Sequence, residues 1–244
     1  MRRRNQRGVT LLELLVAVTI MALLSLGVLY AMRVGLNAMG KTNDRFSKNR
    51  RVLGVERALT AQIAGLMPVT AECIGAEGGP AGKAVMFQGD PSAMRFVSSY
   101  SLMEGARGYP KLLEFTVIAG ENGRGVRLIV NEMPFATPYS IRGVCVGQQA
   151  NPETGQSGPM FAPIASRPDS FILADKLASV RFLYLETLPP PILQRWTPKW
   201  IANKLPAAIR LELIPLDLDA ADLHVTSTTV PIRITANPMF TYGD

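Results

Sequence analysis

The sequence predicts an α+β fold: one long N-terminal helix packed on a β-rich domain of antiparallel sheet. Three observations carry that expectation. Residues 14–32 form a run of 19 without a charged side chain, which as a helix spans about 28 Å, close to the hydrocarbon thickness of a bilayer. Val52, Val55, Leu59, Ile63 and Leu66 then recur at spacings of three and four, one stripe of a helix, and Pro68 supplies a stop. Beyond it, apolar runs of strand length alternate with Gly, Asn and Pro turns, with no interleaved helical pattern, so antiparallel pairing is expected.

The elements follow in order. Residues 1–8 form a basic leader, with Arg2, Arg3, Arg4 and Arg7 and no acid. The 244-residue chain carries a formal charge of +7, and taking away these four arginines leaves +3. The basic excess is therefore a cytoplasmic retention signal ahead of an apolar run, not a nucleic-acid footprint. The run is longer than the roughly 7–15 apolar residues of a secretory signal, and Arg33 closes it without a small-x-small cleavage site. It reads as a retained single-pass anchor. Residues 9–36 form the transmembrane half of the helix, 37–67 its solvent-facing half, and 68–244 a globular domain. Gly35, Gly40 and Gly54 weaken the helix by about 1 kcal/mol each and mark bends or a locally melted stretch. At 48% hydrophobic and 18% charged residues the chain is not disordered. A soluble four-helix protein is the alternative, but only one long helical pattern is visible.

Strands are expected at 84–88, 94–98, 112–118, 126–130, 141–146, 171–186, 209–214 and 229–235. The Gly/Ala-rich stretch 72–82 and the Pro/Gly/Ser-containing stretch 147–169 read as loops. Cys73 and Cys145 both follow the anchor, so with the leader inside they lie outside the cytoplasm, where disulfides persist. A disulfide and two buried thiols both fit their spacing.

Glu13 is the anomaly of the anchor. A carboxylate costs about 2.5–3.5 kcal/mol at mid-membrane, less near the interface, and demands a partner. Taken alone, Glu13 also fits the cytoplasmic edge of the span.

The basic leader, Gly8, apolar Val9, Thr10, two leucines and then Glu13 opening an apolar helix resemble the N-terminus of type IV pilins and type II secretion pseudopilins. The resemblance covers about 25 residues and implies a pilin-like fold. It implies that a prepilin peptidase cuts between Gly8 and Val9 and N-methylates Val9, although the family usually has phenylalanine at that position. It also implies that the Glu13 carboxylate pairs with the Val9 amine of a neighbouring subunit. In a low-dielectric bundle of helices such a pair matches in one stagger only, and so sets register.

The C-terminal half is similar to the J-type minor pseudopilin. The carriers are Leu177-Ala-Ser-Val-Arg-Phe-Leu-Tyr-Leu185, then Trp196 and Trp200, then Leu205-Pro-Ala-Ala-Ile-Arg-Leu-Glu-Leu213, about 40 residues in all. This similarity implies a bacterial inner-membrane protein whose C-terminal domain lies in the periplasm. Its implied partners are I- and K-type pseudopilins, the major pseudopilin, the peptidase and the assembly platform, and its place is the pseudopilus tip, supporting protein export. The alternative within the group is a minor type IV pilin serving pilus assembly, adhesion or DNA uptake. The two tryptophans fit either a cover for the sheet or an interface anchor.

An enzyme is not expected. His224 is the one histidine, and no GxSxG, P-loop, HExxH or GxGxxG motif is present. No cofactor is implied. Asp217, Asp219 and Asp222 form the densest acidic group and are the calcium candidates, since some pseudopilins bind calcium in such loops, but they lack EF-hand spacing and fit a solvated turn as well.

Overall fold

The structure, a computed structural model, describes residues 9–74, 79–141, 143–152, 155, 157–191, 193–216 and 227–234. The chain divides into two compact units, Met1–Arg50 and Arg51–Asp244.

Helix α1, Leu11–Ala64, is 54 residues long. Thr10 starts it. The Thr10 hydroxyl accepts the Glu13 backbone N–H at 3.3 Å, and the Thr10 carbonyl accepts those of Glu13 and Leu14 at 3.1 and 3.2 Å. Thr10 is thus the N-cap and Glu13 the third helical residue. Within the first unit, Leu11–Gly40 is long and apolar enough to cross a membrane, and its side chains are exposed in the isolated chain. The hydroxyls of this stretch fold back on the helix: Thr19 donates to the Val16 carbonyl at 2.9 Å and Ser25 to that of Met21 at 2.8 Å. An apolar surround leaves them no other partner. The helix runs unbroken through Gly35, Gly40 and Gly54.

In the second unit the expected stripe is buried: Leu59, Ile63 and Leu66 are core residues and Val55 packs against them, while the side chain of Val52 lies outside the described residues. The helix ends at Ala64, ahead of the expected end at 67. Gly65 explains the early stop. A Cβ there would sit 2.7 Å from Ser98 Oγ, and beyond it Leu66 bridges Ser98 while the Met67 N–H donates to the Val97 carbonyl at 2.8 Å. The chain leaves the helix to join the sheet before proline has to stop it.

Twelve strands follow among the described residues: β1 (Thr70–Ile74), β2 (Pro80–Val85), β3 (Phe87–Gly89), β4 (Ala93–Ser101), β5 (Ala106–Ala119), β6 (Val126–Pro134), β7 (Cys145–Ala150), β8 (Ser157–Phe161), β9 (Phe171–Thr187), β10 (Gln194–Thr197), β11 (Ala208–Pro215) and β12 (Ser227–Pro231). The main sheet has the order β12-β11-β9-β6-β5-β4-β3, and every pairing is antiparallel. β9, at 17 residues, is its seam. One edge carries β11, and the other carries β6 along its first part and β10 along its last. One face of the sheet holds the main core, where Phe96, Phe115, Phe182 and Tyr184 meet α1 residues Leu59 and Ile63. The second face holds a smaller core of Met86, Val97, Leu112 and Ile141 under the hairpins β1–β2 and β7–β8.

The α+β fold with a β-rich antiparallel domain is as the sequence predicts; the local differences lie in the hairpins. Residues 72–82, expected as a loop, contain the end of β1 and the start of β2. The run 84–88 is the join at which β2 leaves the β1 hairpin and β3 enters the main sheet. The expected loop 147–169 contains most of β7 and all of β8. Its glycine is structural, because a Cβ on Gly158 would sit 2.9 Å from the Ala202 backbone nitrogen. These hairpins carry few of the β-branched and aromatic residues by which strands are read from sequence, so tertiary contact decides them. The run 141–146 starts as a 3-10 turn, Pro138–Ile141, with the strand beginning only at Cys145. β10 was not expected at all. Its four residues are too short for a periodic signal.

Candidate functional site

The chemistry-bearing residues of the sequence fall in three places. At the N-terminus, Val9 and Glu13 are both exposed and Thr10 lies between them as the cap; Gly8 lies outside the described residues. Glu13 occupies the third helical position, where a carboxylate faces the positive end of the helix dipole. This cap engages the Glu13 backbone N–H and not the Glu13 carboxylate. It leaves a carboxylate on an exposed apolar helix, open to a cation from elsewhere.

The second place is the disulfide. Cys73, in β1, and Cys145, at the start of β7, are joined, with their Cα atoms 4.6 Å apart. Both are buried beside Ala84. The bond ties the β1–β2 hairpin to the β7–β8 hairpin, two small two-stranded sheets that have little core of their own.

The third is the sheet region holding the tryptophans. Trp196 lies in β10 opposite Leu185, and the Arg210 guanidinium sits 4.0 Å from its ring centroid. Trp200 is buried; its backbone N–H donates to the Gly89 carbonyl at 2.7 Å and its indole N–H to the Lys204 carbonyl at 2.7 Å. Trp200 therefore covers the sheet edge at β3, and Trp196 is the half-exposed one, held by a cation–π contact. The segments 177–185, 194–197 and 205–213, separated by short connections, lie side by side: Trp196 pairs with Leu185, and Ile209 with Tyr184.

Asp217, Asp219, Asp222 and His224 lie outside the described residues. Among the described residues no group of three or more His, Cys, Asp or Glu side chains could hold a metal ion.

Two polar constellations escaped sequence reading. The Glu132 carboxylate accepts Gln62 Nε2 at 3.3 Å, Ser101 Oγ at 2.9 Å and the backbone N–H groups of Leu102 and Met103. It thereby fixes α1 and the β4–β5 turn to β6. The other is a row across the second face of the sheet, in which Gln88, Arg95, Glu114 and Asn131 are successive cross-strand partners. Arg95 Nε donates to Glu114 at 2.7 Å, and burial holds the Arg95 pKa below its ordinary value against the opposing pull of Glu114. Neither constellation has a sequence signal, because only strand register makes these residues neighbours.

Residues 3–29 match the family model described as the prokaryotic N-terminal methylation motif. The chain has a type IV pilin-like N-terminus. No curated protein matches the chain. The methylation motif indicates a protein of the type IV pilin or pseudopilin type, and implies processing by prepilin peptidase and pilin-like assembly. A single N-terminal apolar helix followed by a soluble β domain fits a membrane-anchored pilin-like protein.

Proposed function

We propose that this pilin-like chain is a minor pseudopilin of the type II secretion system, of the J type. It is a structural filament subunit, not an enzyme. Prepilin peptidase cuts after Gly8 and N-methylates Val9, and the mature chain sits in the bacterial inner membrane with its β domain in the periplasm. There it assembles with I- and K-type partners at the pseudopilus tip and supports protein export. One observation carries the finer assignment. The three stretches that are similar to the J type form neighbouring strands, β9, β10 and β11, of one sheet region, as segments of one shared substructure should.

The Glu13 carboxylate is assigned the registry role, paired with the methylated Val9 amine of the next subunit. The calcium candidates Asp217, Asp219 and Asp222 are given no metal role; calorimetric titration of the chain with calcium is expected to give no heat. Pull-down by residues 37–244 tests the partner assignment. I- and K-type pseudopilins are expected to be retained. Failure to bind either, with capture of type IV pilus subunits instead, would make the chain a minor type IV pilin.

A further inference from the structure

Residues 162–170 cross the second face of the sheet as a strap outside any strand, ending in a turn at 168–169. Pro163 and Pro168 remove two backbone donors, which disfavours a ladder along the segment. None of its residues is fully buried; Ala162, Ile164 and Ser170 are half-buried and the rest exposed. Apolar burial therefore does little to hold it down. Its anchors are polar. Arg95 Nη1 donates to the Ala162 carbonyl at 3.0 Å, Asn131 Nδ2 donates to the Ala165 carbonyl at 2.9 Å, and Ser170 Oγ donates to Asn131 Oδ1 at 2.5 Å. Beneath them, Glu114 orients both anchoring side chains, accepting Arg95 Nε at 2.7 Å and Asn131 Nδ2 at 3.0 Å.

We propose that the strap 162–170 is a latch: it opens and closes as a unit over a closed sheet, and the buried row Arg95–Glu114–Asn131 is its catch. The row belongs to β4, β5 and β6, the most extensively paired part of the sheet, and stays fixed when the strap leaves. At one end the Ala162 N–H donates to the Val144 carbonyl at 2.9 Å; at the other the strap's own turn is closed by the Arg167 N–H to Ser170 Oγ at 2.8 Å and the Ser170 N–H to the Arg167 carbonyl at 3.1 Å. Arg167 lies near enough to Arg95 to oppose its charge. Opening uncovers a cation and an anion side by side across neighbouring strands. Few buried contacts and exposed backbone are the marks of a segment with low local opening free energy.

Hydrogen exchange on the full chain in detergent tests this, comparing peptide 162–170 with peptides from β5. Asn131→Ala removes two of the three anchors and leaves the Arg95–Glu114 pair in place. The strap is expected to exchange at least about fivefold faster while β5 is unchanged. Ser170→Ala, on the strap itself, serves where Asn131→Ala disturbs the sheet, and is read at the far end, Ala162. Unchanged strap exchange, or strap and β5 accelerating together, would overturn the proposal.

Discussion

Gly89 shows how one position constrains its surroundings. A Cβ there would lie 2.7 Å from Tyr184 Cζ and 2.9 Å from Trp200 Cβ, with the Tyr184 hydroxyl already donating to the Asp90 carbonyl at 2.9 Å. Gly89→Ala is therefore expected to destabilise the domain by about 1–3 kcal/mol, the cost of overpacking, read as a lower denaturant midpoint. A second prediction concerns pH. Arg127 donates to both oxygens of Asp175 at 2.8 and 3.1 Å, and this hydrogen bonding holds the Asp175 carboxyl below the usual carboxylate range. A depressed folded-state pKa gives stability that is present above the unfolded value and lost as pH falls through the folded one. The pair is partly exposed, so the effect is small. Asp175→Asn is expected to lower stability at neutral pH and to flatten this part of the acid limb in pH-dependent unfolding. Legibility at this scale followed distance along the chain. Glu13 stood out because a carboxylate beside an apolar run is anomalous. Gln88, Arg95, Glu114 and Asn131 are ordinary polar residues until four strands bring them into register.

Among the elements, α1 was the most legible and the small hairpins the least. A 3.6-residue stripe reports its buried face directly, and Leu59 and Ile63 are indeed core residues. Leu59→Ala is expected to cost about 2–5 kcal/mol in unfolding measurements. Val55→Ala, at the half-buried edge of the same stripe, should cost less. Hairpins β1–β2 and β7–β8 were read in large part as loops because Gly, Ala and Pro dominate them, and the contacts that order them come from outside. The Cys73–Cys145 bond is one such contact, with a sequence separation of 72 residues. By the chain-entropy model, closing a loop of that size contributes about 4 kcal/mol. Replacing both cysteines with alanine is expected to lower the unfolding free energy on that order, with the β1 and β7 amides exchanging faster than those of β5. An unchanged denaturant midpoint would mean that the hairpins stand without the bond.

At the scale of the whole molecule, the chain combines two kinds of surface. Leu11–Gly40 presents apolar side chains all round and carries Glu13 near its start. The β domain keeps its apolar residues in cores on both faces of one sheet. The long apolar helix was legible because bilayer thickness acts on composition alone. The finer subunit identity rests instead on the similarity of residues 177–213, which composition does not encode. The physical account of Glu13 depends on a free Val9 amine, which exists only after cleavage. Mass spectrometry of the N-terminus of the chain, recovered from membranes of cells with and without prepilin peptidase, tests that most directly. With the peptidase the chain is expected to begin at Val9 bearing one methyl group, and without it to retain residues 1–8. A chain that begins at Met1 in both cells, or at any residue other than Val9, would contradict the account.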